Sequence, residues 1–452
     1  MTEEPPFAAS VCVASAVVLG AALQVADGCL HDRAIVYLLV ALVAMFAAVA
    51  LGPPFAMRRI TNARLFDVVC VLGLTWSCYG VMFKRPGIYL VKHPLIQIHH
   101  AFALSLFFGA AFLFLNRGQG LKLCAAAVGI GVTGMAVWML VRSPKPFIDV
   151  WYWQEHSMAL LGRGENPWAA TMPNLYGTSN LFAPGSTDGN VVFTGYPYPP
   201  LTLLCGLPGH LLLGDYRWAY AVLLIGAAAL CFFARPSHGT LLLAALFLGS
   251  PRMLFVLEQG WSEVPGIFFL GLLVFVWQRR PRLLPYVFGL LLASKQYFVF
   301  VAPLALLFLP DERRNLRGAL SFGAKAMAVV ALFTLPALLW NASALFGSLV
   351  TFQARQPFRP DALSVMAWTA RDGVPILPGW PSWLSVLATW LYAYKKAPRS
   401  MFGFLSCSAL TLALFFALSK QAFCNYYFLV VGALFMAAAA ATMPSKDPQP
   451  AI

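Results

Sequence analysis

Charge is scarce in this chain. Only 11% of its 452 residues are Asp, Glu, Lys or Arg, against 60% hydrophobic, and the mean hydropathy is +0.73. A soluble protein of this length needs far more charge to cover its surface, so that class is excluded. Acidic residues are the scarcest, 17 against 31 Lys and Arg, which leaves a net charge of +14. The basic residues sit in small clusters between apolar runs, not in one patch. That distribution reads as a topology signal and as contact with anionic lipid headgroups, and it excludes nucleic acid as a partner. No CxxC pair occurs. Of nine cysteines, most lie inside apolar runs (Cys12, Cys70, Cys124, Cys231 and Cys407 among them) and none in the long polar stretches, so neither a disulfide framework nor a zinc site is indicated. The period-two alternation of an outer-membrane barrel is missing, and so is any convincing internal repeat.

What the chain has is a series of apolar runs of about 18 residues or more, each long enough for a hydrocarbon core of about 30 Å. In lipid every backbone polar group must be satisfied within its own segment, so the predicted fold class is all-α, a polytopic transmembrane bundle. Runs lie at about 8–26, 34–51, 66–83, 95–115 and 122–142, then 199–213, 217–234, 239–257, 263–277, 283–309 and 320–340, and last 383–394, 401–419 and 424–441. Two long polar stretches, 143–198 and 341–382, interrupt the series, and the Pro-rich tail 444–452 is expected to be disordered. The first run follows Glu3 and Glu4, with no basic n-region, and reads as an uncleaved span. The division expected is four N-terminal spans of unassigned role over 1–121, then a module over 122–443 that carries both polar stretches.

Topology follows from parity. The clusters Arg58/Arg59/Arg64, Arg117/Lys122, Arg279/Arg280/Arg282, Arg313/Arg314/Arg317 and Lys395/Lys396/Arg399 read as cytoplasmic. The first two place the N-terminus inside and residues 143–198 outside. The Arg279 cluster then comes out inside only if one segment between 199 and 277 does not cross. The 15 residues of 199–213 reach about 22 Å as a helix, short of the core, and include Pro208. Segment 283–309 has basic clusters at both ends, so it is expected to be a hairpin with Lys295 near its crest. Both polar stretches, and the turn 419–425, then face outward together, although Lys84, Arg85 and Lys92 also fall outside.

The first polar stretch opens Phe147-Ile148-Asp149-Val150-Trp151-Tyr152-Trp153-Gln154-Glu155-His156. Asp149 stands where a short helix should start, as an N-cap or as a carboxylate general base at the membrane surface. His156, seven residues on, falls two turns along roughly the same face and could orient a site or assist a leaving phosphate. Further on come Leu160-Leu161-Gly162-Arg163-Gly164-Glu165-Asn166-Pro167-Trp168 and Tyr196-Pro197-Tyr198-Pro199-Pro200-Leu201. An Asp in the first large outer loop, a small helix ending in L-x-x-G-x-N-P-aromatic and a Y-P-P-L-like entry into a hydrophobic segment occur here in that order. The chain thereby resembles the GT-C superfamily of membrane glycosyltransferases, in particular its bacterial polyprenyl-phosphate-mannose-dependent branch, over about residues 147–309. The resemblance implies that Asp149 is the catalytic Asp and that the helix after the Tyr-Pro-Pro element does not cross. It departs from the family pattern in the number of spans before the Asp loop. Where the family often has a Gly-Gln pair, this chain has Glu258-Gln259-Gly260, which marks Glu258 and Gln259 as site candidates, with Tyr196 as a further one.

Lys295, in Ala293-Ser294-Lys295-Gln296-Tyr297, is a charge inside an apolar run. It snorkels, pairs with Glu258 or Glu263, or meets a donor phosphate. Arg355 and Arg359, in Gln353-Ala354-Arg355-Gln356-Pro357-Phe358-Arg359-Pro360-Asp361, are solvated loop charges or phosphate ligands. Lys420, Asn425 and Tyr426 fall on the same side. Trp151, Tyr152, Trp153, Trp168, Tyr176, Tyr196 and Tyr198 suit an interfacial belt, with one or two free to stack on a sugar. His99-His100 reads as interfacial, and Asn341-Ala342-Ser343 is a formal glycosylation sequon.

The resemblance and the residues together lead to one expectation. A hexose, mannose on the family's precedent, passes from a polyprenyl-phosphate donor to a lipid-linked or extracytoplasmic glycan acceptor. Asp149 takes the acceptor proton while cations stabilise the departing phosphate. No cofactor is expected. No metal is expected either, since no second carboxylate clearly pairs with Asp149. The location is a cell membrane, with the site on its extracytoplasmic face. Two alternatives remain. One is a polysaccharide ligase or polymerase, for which Asp149 would be dispensable; the other is a lipid or glycan transporter, which calls for paired interrupted helices.

Overall fold

The computed structural model describes residues 7–50, 59–115, 120–177, 181–309, 314–376 and 379–443. Glu3, Glu4, Arg58, Arg117, Arg313 and the tail 444–452 lie outside these residues. Among the described residues the structure is all-α apart from one two-residue strand pair, and the chain is a multi-pass membrane protein. Among the described residues eight helices are long and apolar enough to cross a bilayer, and a bent pair makes a ninth.

Five helices come first: α1 (Phe7–Ala26), α2 (Asp32–Ala50), α3 (Arg59–Phe83), α4 (Ile96–Leu115) and α5 (Leu121–Arg142). The short α6 (Asp149–Gly162) opens the first polar stretch, which is braced by an antiparallel pair, β1 (Met172–Pro173) with β2 (Val191–Val192). Next are α7 (Pro200–Leu213), α8 (Arg217–Ala234), α9 (His238–Leu248), α10 (Met253–Gln259), α11 (Val264–Arg279) and α12 (Leu284–Ser294). Two 3₁₀ turns, Gln296–Val301 and Pro303–Leu307, lead to the long α13 (Leu316–Phe346). The last helices are α14 (Phe352–Arg355), α15 (Val365–Arg371), α16 (Trp380–Lys396), α17 (Met401–Ala417) and α18 (Cys424–Ala441).

Three expected segments take a different form. The run 239–257 is not one straight helix, because α9 and α10 meet at a 52° bend. Pro251 cannot donate into a ladder and its ring disfavours helix at Ser250, while Arg252 has a left-handed φ of 71°. Arg252 is held by Asp27 at 3.0 Å, itself at φ 55°. The second polar stretch does not begin at Asn341. The helix bends there, at φ −162°, restarts with the Asn341 Oδ1 accepting from the Ala344 amide at 3.0 Å, and continues through a π turn into α14. That capping bond gives Asn341 a local role apart from any sequon. Segment 283–309 breaks at Lys295 as expected, but its second arm is 3₁₀ and not α.

Contacts at the helix ends show how the segments run. The α11 start meets the α12 end, where a Cβ on Gly266 would lie 3.7 Å from the Ser294 Oγ. The Thr202 hydroxyl, in the first turn of α7, donates to the Ser294 carbonyl. The other end of α7 joins α8 at Arg217, whose guanidinium donates to the carbonyls of Ser143 and Glu258, each at 2.8 Å. Both ends of α7 therefore lie at the same end of the bundle, and this helix does not traverse it. The two polar stretches meet at that end as well. The Ser348 hydroxyl accepts from the Gly195 amide (3.1 Å) and donates to the Trp168 carbonyl (3.0 Å), and Gln296 donates to the Pro197 carbonyl at 2.7 Å.

The N-terminal helices are not a separate body. Apolar faces of α1 and α2 join the same core as α17 and α18. The 27–32 turn is stitched to the second polar stretch by the Leu30 amide to the Asp361 carbonyl (2.8 Å) and by Arg371 to Asp32 (2.7 Å). Gly28, at φ 79°, lets this turn touch the start of α18, since a Cβ there would lie 2.4 Å from the Cys424 amide nitrogen. In contrast, α13 buries only Ala326, Ala337 and Leu345 and exposes most of its leucines, as a helix bordered by lipid does.

Candidate functional site

Asp149 is the first residue of α6, and Ile148 holds the cap position without a side-chain bond. The Asp149 Oδ1 accepts from the Val150 amide at 2.8 Å, and the Asp149 amide donates to the Tyr176 hydroxyl oxygen at 3.2 Å. The N-cap reading is thus not met, because Ile148 holds the cap and the Asp149 carboxylate accepts only from the amide of the residue next to it. Burial pushes the Asp149 carboxyl above the usual carboxylate range. The Val150 amide, Tyr176 and the more distant Arg359 act in the opposite direction. Tyr176 is itself fixed by Asn174, whose Oδ1 accepts from the Tyr176 amide at 3.0 Å. The phenols of Tyr89, Tyr176 and Tyr198 are all raised, first by burial and in part by the Asp149 charge. Asp149 is therefore a partly buried carboxyl in direct contact with Tyr176, within electrostatic reach of Tyr89 and Tyr198.

Lys295 lies on the far side of Tyr198. Its ammonium is 2.8 Å from the Glu263 carboxylate, donates to the Ser262 hydroxyl and stands 4.0 Å from the centre of the Tyr198 ring. Glu263, and not Glu258, is the partner of this lysine. Glu258 accepts from the Ile88 and Tyr89 amides at 2.7 and 2.8 Å and from the Gln259 amide side chain at 3.2 Å. Gly87 makes this possible, because a Cβ there would collide with the Glu258 carboxylate at 2.4 Å. Glu258, itself bonded by Gln259, thus fastens the 84–95 connector, and the Tyr89 phenol feels the charge of both Glu258 and Asp149.

The remaining candidates divide. Arg359 reaches Asp149 electrostatically, but its guanidinium is bidentate to Asp361 (2.8 and 2.7 Å) and lies over the Phe423 ring. Lys420 donates to the Ala354 carbonyl at 2.8 Å, and partial burial lowers its pKa. Tyr426 packs on Tyr297 and Phe416, with buried Asn425 one residue before it. Arg355 lines a separate cavity. His156 is not brought to Asp149. It faces Arg163, Glu165 and the Thr171 backbone, and burial lowers its pKa. Tyr196 is wholly buried, its hydroxyl bonded to Gln154, so it is part of the wall and not of an open surface. His99, in the first turn of α4, is buried against Trp138 (4.8 Å).

Three residues were not picked from the sequence as site residues: Tyr89, Glu263 and Arg217. Only Glu263 carried a signal, as an acid at the edge of an apolar run. Arg217 is fully buried. It donates to both Asp215 oxygens, at 2.6 to 3.0 Å, and to the Ser143 and Glu258 carbonyls, so it clamps the approach to α6 against the end of α10. Among the described residues no three His, Cys, Asp or Glu side chains gather as a metal ion would need. Comparison with protein-family models, curated proteins and solved structures returns no match.

Proposed function

We propose that this chain is an integral membrane glycosyltransferase that moves a hexose, mannose in the closest reading, from a polyprenyl-phosphate sugar to a lipid-linked or extracytoplasmic acceptor. The observation that carries the proposal is the desolvated Asp149 carboxyl at the polar end of an otherwise apolar bundle. A general base needs a pKa nearer the working pH than an exposed Asp has, and burial moves it in that direction. In the reaction the acceptor hydroxyl oxygen bonds to C1 of the donor sugar, the C1–O bond to phosphate breaks and Asp149 receives the hydroxyl proton. The polyprenyl phosphate leaves with the bond's electron pair and stays in the bilayer. Arg359, whose charge acts on Asp149, is the cation assigned to that charge.

A lipid-borne donor suits a site at the bundle end where α7 does not cross, and the extracytoplasmic side of a cell membrane suits the positions of the Arg279 and Lys395 clusters. The test is to incubate the purified protein in nanodiscs with radiolabelled polyprenyl-phosphate mannose and a set of glycolipid acceptors. Label should move to an acceptor. No transfer from this donor or its glucose and galactose counterparts would reject the proposal.

A further inference from the structure

A cavity of about 640 Å³ opens between the first polar stretch and the end of α13, and none of the residues gathered around Asp149 lines it. It is within the size range of small-molecule sites, about 300–1,000 Å³. Its two walls are pinned together by Ser348, which bonds to both Gly195 and Trp168. Eight of its twenty lining residues carry hydroxyl or amide side chains, the others being mostly Ala, Gly and aromatic residues, and among the described residues Arg355 is the one ionisable group and no acid lines it. Thr194, 8% exposed, lines the cavity with its hydroxyl oxygen closed off from solvent. Phe193, 55% exposed, presents an aromatic ring at the wall.

These features select a class of ligand. Hydroxyls both donate and accept, so a wall of Thr and Ser suits a ligand that does the same. A lipid tail would leave those hydroxyls unpaired, and a phosphate would call for more than the single guanidinium. The cavity also borders the candidate site. Trp153 is four residues after Asp149, one turn along α6 on the same face, and its ring lies 5.9 Å from that of Phe352 in the cavity wall. We propose that this cavity seats a neutral sugar unit of the acceptor glycan, with the next unit of the glycan presenting its reactive hydroxyl to Asp149. The acceptor then carries at least two sugar units. The assignment of the sugar as acceptor rests on the transferase reading; binding of a saccharide does not.

Gly347 supplies the probe. It lines the cavity, and a Cβ built there meets no atom within 4 Å, so Gly347→Phe extends a ring from an open position on the wall. The full chain in nanodiscs is examined by saturation-transfer NMR with mannobiose, cellobiose and maltotriose. Wild type should give a signal with at least one of them. Gly347→Phe should weaken it at least ten-fold at an unchanged melting temperature. Ser343→Trp, on the same wall, is the second blocking variant should the first not fold. The proposal is overturned by equal signals from wild type and a folded blocking variant, by no signal with any saccharide, or by displacement with inorganic phosphate. Loss of saccharide binding in the blocked variant, from a protein that transfers no sugar, would support the cavity and reject the transferase reading.

Discussion

Lys295 and Glu263 are 2.8 Å apart, and each is almost wholly out of water. A pair desolvated together adds little net stability, but removing one partner strands the other at a cost of roughly 3–5 kcal/mol. Lys295→Ala should therefore lower the melting temperature in detergent strongly, and adding Glu263→Gln should restore most of it. A Lys295→Ala protein that melts like wild type but has lost affinity for donor would instead make this lysine a phosphate ligand. Asp149 behaves in the opposite way. Because its pKa is raised on folding, the native state holds the proton more tightly, and the resulting stabilisation is present at low pH and lost as pH rises through the raised value. Asp149→Asn should thus melt at or above the wild-type temperature at neutral pH. Of these residues the sequence marked Asp149 and Lys295, since a charge next to or inside an apolar run is anomalous by itself. It could not choose between Glu258 and Glu263, because the choice depends on how the 84–95 connector folds back, and Tyr89 carried no signal at all.

At the scale of elements, Arg217 joins α5, α8 and α10 through one guanidinium. Its planar fork of donors matches the Asp215 carboxylate and two carbonyls at once, which an ammonium cannot do. Arg217→Ala should cost about 3–5 kcal/mol, since Asp215 is left without its partner, and Arg217→Lys should recover less than half of the loss in melting temperature. Helix bounds were legible to within a few residues wherever an apolar run was long and continuous, as in α1, α5, α8 and α18. The short α7 was legible as a segment that does not cross, because length and charge parity both demanded it. The bend between α9 and α10 was not read, although Pro251 stood in the sequence. A hydropathy window is insensitive to one imino acid, and the left-handed Arg252 is held by Asp27, which is distant in sequence. The helical continuation past Asn341 was missed for the opposite reason, since its polar residues suggested a loop while its backbone bonds continued.

At the scale of the whole molecule, α7 ending where it began brings both polar stretches to one end of the bundle, and the proposed topology puts that end outside. Single cysteines at Asn190 and Asp372, in a background lacking the partly exposed Cys29, should react with an impermeant maleimide from outside intact cells, and cysteines at Arg280 and Lys396 should not. Opposite labelling of Asn190 and Asp372 would contradict the fold as well as the topology. The shared core of α1, α2, α17 and α18 was beyond the sequence, because hydrophobicity shows that helices are buried in lipid or protein but not which ones touch. The central claim is most directly tested by the turnover of labelled polyprenyl-phosphate mannose by wild type and Asp149→Asn across pH. Wild-type kcat/KM should fall on the acid side at a pH above the ordinary carboxylate range, and the variant should lose about 10²–10⁴-fold at neutral pH while remaining folded. An Asp149→Asn protein that turns over donor at the wild-type rate would contradict the account.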